Sequence, residues 1–378
     1  MSASAPDSTS LRVFMTADAV GGVWQYALDA AEGLRLHGVQ TTLAVLGPSP
    51  SDDQVQRAKS VGLDVIATGL PLDWTAERRE DVEAAGRAIA RLAADMRPDV
   101  VHLNSPALGA SAEFACPVVS ACHSCVATWW DAVRGGPLPE EFLWRTQLVA
   151  EGYRSSERLL APTAAFAHIT ARTYKLPSAP YVVRNGRRAL TVNRSPSRQV
   201  FAFTAGRLWD EGKNFAAIDR AASRLSTPVL AAGPLGGPNG AQIEARHAIA
   251  LGPQNDDQIA ARLSAQPIFV SAARYEPFGL AVLEAAQAGC PLVLSDIPTF
   301  RELWDGVALF VDPDDDESIA QAVDQLAADH ALRKQLGASA RDRARNYSLE
   351  AMCKGILDTY RSLLPSKPSS FSFKGAAA

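Results

Sequence analysis

Residues 274–296 read "RYEPFGLAVLEAAQAGCPLVLSD". Glu276 and Glu284 stand at the two ends of "EPFGLAVLE", the first on a proline- and glycine-containing loop and the second in an alanine-rich helical run that leads into the apolar strand "PLVLSD". If the helix starts near Phe278 or Gly279, the amides of Phe278, Gly279 and Leu280 face the loop at the positive end of the helix dipole. Glu284 then lies roughly 7 Å beyond Glu276 along the axis, at ~1.5 Å per residue. Carboxylates flanking free amides suit a ligand with both hydroxyls and phosphate better than they suit a core.

The same helix-then-strand rhythm extends in both directions. Upstream, "LRVFMT", "VQTTLAVL", "LDVIAT", "DVVHLN", "CPVVSAC", "ERLLAPT" and "SAPYVVRNG" are short apolar runs separated by amphipathic stretches. After the polar "RNGRRALTVNRSPSR" the pattern restarts with "QVFAFTAGRL", "PVLAAGP", "HAIALGP", "QPIFVSA", "PLVLSD" and "VALFVD". This is the βαβ pattern of parallel sheets. A chain of 378 residues exceeds what one core usually serves. The expectation is an α/β protein with two Rossmann-like domains, residues 1–184 and 185–346, a last helix over 347–364 and a disordered tail over 365–378.

Composition narrows the function. A formal charge of -4 gives no general attraction to nucleic acid or anionic lipid. The N-terminus lacks a signal-like apolar core and no run is long enough to span a bilayer, so a cytoplasmic protein is expected. No strongly basic amphipathic helix prompts a peripheral membrane contact, which stays open. Five irregularly spaced cysteines read as reduced thiols. Cys122 and Cys125 have redox or half-zinc spacing, but no second such pair exists, and thiols packed beside a strand end are the simpler reading. No metal site is expected.

In α/β sheets ligands sit at the carboxyl ends of strands. There the first strand ends in Asp18 and the turn glycines Gly21 and Gly22, which let a phosphate or sugar approach helix-start amides. The fifth is followed by His123 and by Trp129, Trp130 and Trp144, whose faces suit a sugar ring or the core. "FTAGRLWDEGKN" carries Arg207 and Lys213, a fork and a point charge suited to a diphosphate. Asp296, Thr299 and Glu302 follow "PLVLSD", with helix capping by Asp296 or Thr299 as their main expected role.

Together these residues resemble glycosyltransferase family 4. The resemblance rests on "GGV", "VVSACHS", "AGRLWDEGKN", "LGPQNDDQIAARLS" and, above all, "RYEPFGLAVLEAAQAGCPLVLSDIPTFREL" followed by "VALFVDPDD". It implies a GT-B fold, two domains facing across a cleft with the last helix crossing back to the first. It implies a retaining, metal-independent hexosyltransferase with a nucleotide-diphospho-sugar as co-substrate, UDP-sugar before GDP-sugar, and a saccharide or other hydroxyl acceptor. Gly21 and Gly22 would lie against donor phosphate or sugar and His123 against the transferred sugar. Arg207 and Lys213 would hold the diphosphate, Glu276 the sugar hydroxyls, the amides of Phe278, Gly279 and Leu280 sugar and phosphate, and Glu284 the ribose. Asp18, Trp129, Trp130 and Thr299 would stand behind these or on the acceptor side.

Three departures from the family pattern stand out, none on the acids themselves: one extra residue between Arg207 and Lys213, no proline before Glu276, and "VVRNGRRAL" in place of "NGVD" after the interdomain strand. Two other classes remain open. A catalytically silent sugar-nucleotide-binding regulatory subunit would bind donor without turnover, and a nicotinamide-dependent oxidoreductase would bind a dinucleotide at "DAVGGVW".

Overall fold

The computed structural model describes residues 10–190, 200–238 and 240–365. The expected tail, apart from its first residue, and part of the polar linker lie outside the described residues. The chain forms two parallel sheets in sequence. In the first half come β1 (Arg12–Asp18), α1 (Gly22–Arg35), β2 (Gln40–Leu46), α2 (Asp52–Ser60), β3 (Asp64–Ala67), α3 (Arg79–Met96), β4 (Val100–Leu103), β5 (Val118–Ala121), α4 (Val126–Val133), α5 (Glu140–Ser155), β6 (Arg158–Ala161), α6 (Ala164–Tyr174) and β7 (Tyr181–Val182). Their strand order is β3-β2-β1-β4-β5-β6-β7.

The second half repeats the plan. It contains β8 (Ala202–Ala205), α7 (Phe215–Ala222), β9 (Val229–Ala232), β10 (Ile249–Gly252), α8 (Asp256–Ser264), β11 (Ile268–Ser271), α9 (Leu280–Ala288), β12 (Leu292–Ser295), α10 (Pro298–Trp304), β13 (Leu309–Val311), α11 (Asp316–Ala328) and α12 (His330–Ala344). The order is β10-β9-β8-β11-β12-β13. Central strands such as Val100–Leu103 and Leu292–Ser295 are buried at every position. Helices cover both faces of a doubly wound sheet, so its strands are apolar runs rather than alternating ones.

In both sheets the strand order reverses beside the first strand, between β1 and β4 and between β8 and β11. A crevice opens there at the carboxyl ends, the usual place for a ligand in this architecture.

The last helix, α13 (Leu349–Leu363), leaves the second domain and packs on α1. Met352, Cys353, Ile356, Leu357 and Tyr360 join the core built by α1, β1 and β2. Met352, Ile356 and Leu357 each contribute about 1.5–3 kcal/mol on full burial. Its polar anchor is a hydrogen bond between the Tyr360 hydroxyl and His102 Nδ1 at 2.6 Å. Among the described residues no helix is long and apolar enough to cross a membrane.

Candidate active site

The two crevices open onto one cleft, because loops from both domains touch. Trp129 Nε1 on α4 donates to Asp210 Oδ1 of the second domain at 3.2 Å. The Tyr275 hydroxyl reaches Thr128 Oγ1 at 2.8 Å. Arg207 crosses the gap as well: a Cβ added to Gly21 would stand 3.1 Å from its Nη1. Gly21 has φ +104°, where side chains other than hydrogen are strained. A glycine here satisfies both the turn and the approaching guanidinium.

On the first-domain side, β1 ends in Asp18, whose Oδ1 accepts from Val20 N at 2.7 Å and fixes the turn. Burial pushes the Asp18 carboxyl up to about 6, against the pull of that bond and of Arg207. His123 follows β5, its ring edge 4.5 Å from Tyr26 by centroids and its Nε2 2.7 Å from Asn104 Oδ1. Asn104 Nδ2 donates to Thr16 O at 2.7 Å, so Oδ1 is the acceptor and Nε2 carries the proton. Nδ1 is left as the ring's acceptor, suited to a hydroxyl donor.

Burial lowers the His123 pKa to about 4, so the ring is neutral at physiological pH. Its folded pKa lies below the ordinary 6.5. The associated stability is therefore full above pH ~6.5 and is lost as pH falls toward 4. Acidification from pH 7.5 to 5 is expected to lower the Tm of wild type more than that of His123→Asn. Equal losses in two thermal melts would refute this.

On the second-domain side, Asp210 organises the loop after β8. It accepts from Gly212 N at 2.9 Å and pairs with Arg207 Nη2 at 2.9 Å. Burial raises its pKa, but Arg207 and Lys213 outweigh that and leave it below the ordinary value. The end of this loop forms a 3-10 turn at Glu211–Lys213. Lys213 Nζ pairs with Glu276 Oε2. The two loops are stitched by Arg274 N and Tyr275 N, which donate to Gly212 O at 2.9 and 3.2 Å. Thr299 Oγ1 donates to Glu276 O at 2.7 Å and holds the acid's backbone.

Several expectations change. α9 begins at Leu280, because Gly279 at φ +91° is its cap and breaks helical geometry before it. With Gly279 as the cap, the amides without a partner inside the helix are those of Gly279, Leu280, Ala281 and Val282, and Phe278 lies before the cap with its side chain buried against Tyr347. Leu280 also closes on the glycine turn, its Cδ1 3.8 Å from where a Gly22 Cβ would stand. α10 is capped by Ile297 without a side-chain bond, so neither Asp296 nor Thr299 caps it; Asp296 pairs with Arg301 at 2.7 Å. Glu302 caps the first domain's α6, accepting from Ala164 N at 3.0 Å and Ala165 N at 2.7 Å.

The three tryptophans are half-buried and each already holds a partner. Trp129 spends its N–H on Asp210, Trp130 leans on Phe142 at 5.8 Å, and Trp144 lies under Arg145 at 4.4 Å. The five cysteines are free thiols, and among the described residues no cluster of three ligating side chains forms.

One departure of the linker does reach an acid. Arg187, within the departing stretch "VVRNGRRAL", pairs with Glu284. Arg187, Asp210 and Asn104 are the site residues the sequence reading lacked. A cavity of about 590 Å³ opens beside Arg187 at the hinge, lined also by Gly33, Gln287 and Leu349, away from the strand ends.

Residues 20–187 match the family described as Glycosyltransferase Family 4, and residues 241–343 match Glycosyl transferases group 1. The chain belongs to glycosyltransferase family 4. The D-inositol 3-phosphate glycosyltransferase of Corynebacterium urealyticum is 27% identical over 236 residues, 58% of this chain and 55% of that protein. The first curated relatives matched are covered over no more than 32% of their own length.

Among solved structures, sucrose-phosphate synthase from Thermosynechococcus elongatus superposes with a TM-score of 0.78 at 17% identity, over 93% of this chain and 99% of that one. The Anabaena protein HepE, in complex with UDP-glucose, gives 0.72 at 16% identity, over 93% and 100%. The glycosyltransferase fold is GT-B, as the resemblance implied, with α13 crossing back onto the first domain.

Proposed function

We propose that the protein is a retaining glycosyltransferase that moves a hexose-type sugar from a nucleotide-diphospho-sugar, UDP-sugar before GDP-sugar, to a hydroxyl of a saccharide or similar acceptor. The observation that carries this reading is the approach of Arg207 to the Gly21 turn of the other domain, together with the pairing of Lys213 and Glu276 on the Arg207 side. Two cations on one loop match the two charges of a diphosphate, and their side chains supply the charge that a metal would otherwise bring. HepE, crystallised with UDP and with UDP-glucose, shares the fold and favours a uridine donor.

On donor arrival Lys213 exchanges the Glu276 carboxylate for phosphate oxygens, and Glu276 turns to the sugar hydroxyls. The amides at the start of α9 add positive potential without a desolvated side chain. As the bond from the anomeric carbon to the phosphate oxygen breaks, charge grows on the leaving diphosphate, where Arg207 and Lys213 stand preorganised. The acceptor hydroxyl attacks from the face the diphosphate leaves, and its proton departs with the diphosphate. His123, neutral with Nδ1 accepting, binds a hydroxyl of the transferred sugar. Contacts across the cleft exclude water, which would otherwise compete as acceptor.

Thermal shift against UDP, GDP, NAD and NADP, then turnover of the matching sugars with a panel of saccharide acceptors, tests the reading. Stabilisation by UDP and an axial product from an axial donor, seen by proton NMR, are expected, with rates unchanged within about twofold by EDTA. Stabilisation by a dinucleotide alone would reverse the conclusion. Donor binding without turnover on any acceptor would favour the silent regulatory subunit.

A further inference from the structure

Arg187 lies in the linker immediately after Asn185 and Gly186, and its side chain is only 7% exposed. Its guanidinium meets three carboxylates on three helices. Nη1 pairs with Glu284 Oε1 on α9, Nε lies 3.4 Å from Asp29 Oδ2 on α1, and Nη2 lies 3.4 Å from Asp256 Oδ2 on α8. Asp29 is itself buried, whereas Asp256 is half-exposed. Burial raises the Asp29 carboxyl to about 6, and Arg187 is the main influence opposing that rise.

The backbone of Arg187 is fixed too. Gln287 Nε2 donates to its carbonyl at 3.0 Å, and a parallel bridge joins it to Ser348. A guanidinium fixed at its root, paired with Glu284 and facing Asp29 of the other domain at 3.4 Å, is restricted in orientation. Desolvating such a charge is costly, and removal of one partner of a buried pair is strongly unfavourable, so this group constrains its acids more than it stabilises the fold. Glu284 is 12% exposed, with Oε1 taken by Arg187 and Oε2 the oxygen left for a ligand.

We infer that Arg187 is a positioning residue: it turns Glu284 so that the free oxygen meets the ribose hydroxyls of the donor, and ties that acid across the hinge to Asp29. The inference rests on the proposed reading of Glu284 as the ribose acid. A planar fork can fix a carboxylate's rotation where a lysine's point charge cannot. The contact reads ribose, not base, so it applies to a uridine or a guanosine donor alike.

The test is isothermal titration of UDP and GDP against their 2′-deoxy and 3′-deoxy forms. A hydrogen bond from a ribose hydroxyl to a carboxylate is worth about tenfold or more in affinity, so wild type should prefer the full ribose by that ratio over at least one deoxy form. Arg187→Met and Glu284→Gln should each bring the ratio within about twofold, and the double variant should lower it no further. Arg187→Lys, which keeps the charge without the fork, should also leave the ratio below that of wild type. A wild-type ratio in Arg187→Met, with the ratio lost in Glu284→Gln, would overturn the positioning role and leave the ribose reading intact. A wild-type ratio in Glu284→Gln would remove the ribose reading and the inference with it, and absence of binding by both diphosphates would do the same. Should Arg187→Met fail to fold, Arg187→Lys and Asp29→Asn carry the comparison, with unchanged ratios in both overturning the role.

Discussion

Arg207→Ala is expected to lower kcat/KM at least about a hundredfold, the scale on which removal of a preorganised group facing developing charge is usually felt. The side chain is 39% exposed in the open cleft, so its removal leaves no buried partner stranded except through Asp210. Asp210 keeps Gly212 N and Trp129 Nε1, and the loop should hold its shape. Most of the loss should fall on kcat, because the charge Arg207 answers is larger in the transition state than in the bound donor. Glu276→Gln should bring a loss of similar size with a greater share in donor KM, since the sugar hydroxyls are bound before reaction. Arg274→Ala is the control. That guanidinium lies two residues from Glu276 but pairs with Asp314, and its removal should cost less than about threefold. Steady-state kinetics beside circular dichroism decides the matter: Arg207→Ala or Glu276→Gln within a few fold of wild type, in a folded protein, would break the site assignment.

The parallel strands were legible because burial on both faces leaves an apolar signature that local sequence carries. "QPIFVSA" and "PLVLSD" read as strands and form β11 and β12. The site was legible in part for the same reason, since chemistry at strand ends follows from knowing where strands end. What the sequence hid was pairing between distant residues. Arg187 sits in a polar linker, where a solvated charge is the ordinary expectation. Its burial depends on Asp29, Asp256 and Glu284 converging from three helices. Trp129 reads as a face for a sugar ring or for the core, yet an indole N–H in a half-buried position seeks an acceptor, and Asp210 lies across the cleft. For Thr299 the sequence points to capping its own helix or to standing behind the site, and for Glu302 only to a place after the strand. One hydroxyl goes to the Glu276 carbonyl and one carboxylate to the start of α6 in the other domain, neither of which a window of local sequence can show.

Gly186→Ala should be the most destabilising small change in the hinge. A Cβ at this position would stand 2.1 Å from the carbonyl oxygen of Ser348 and 2.5 Å from its carbon, both backbone atoms with no rotamer to yield. Ser348 is the cap of α13, its hydroxyl accepting from Ala351 N at 3.1 Å, and Gly186 N itself lies 3.2 Å from Met352 Sδ. Relief therefore requires either the linker or the first turn of α13 to move, and α13 is fixed by Met352, Cys353 and Tyr360 in the first domain's core. The cost should reach the upper end of overpacking penalties, about 3 kcal/mol. It should appear as a Tm lowered by several degrees, and limited proteolysis should cut first near α13. The same displacement carries Arg187 with it, so donor affinity should fall although no donor contact has been altered. Gly355→Ala is the contrast: its Cβ would approach only the Val183 side chain, at 3.0 Å, and a methyl can turn where a carbonyl cannot. If Gly186→Ala melts with wild type, the linker and the crossing helix are not locked together, and the coupling of hinge to donor site through Arg187 loses its support.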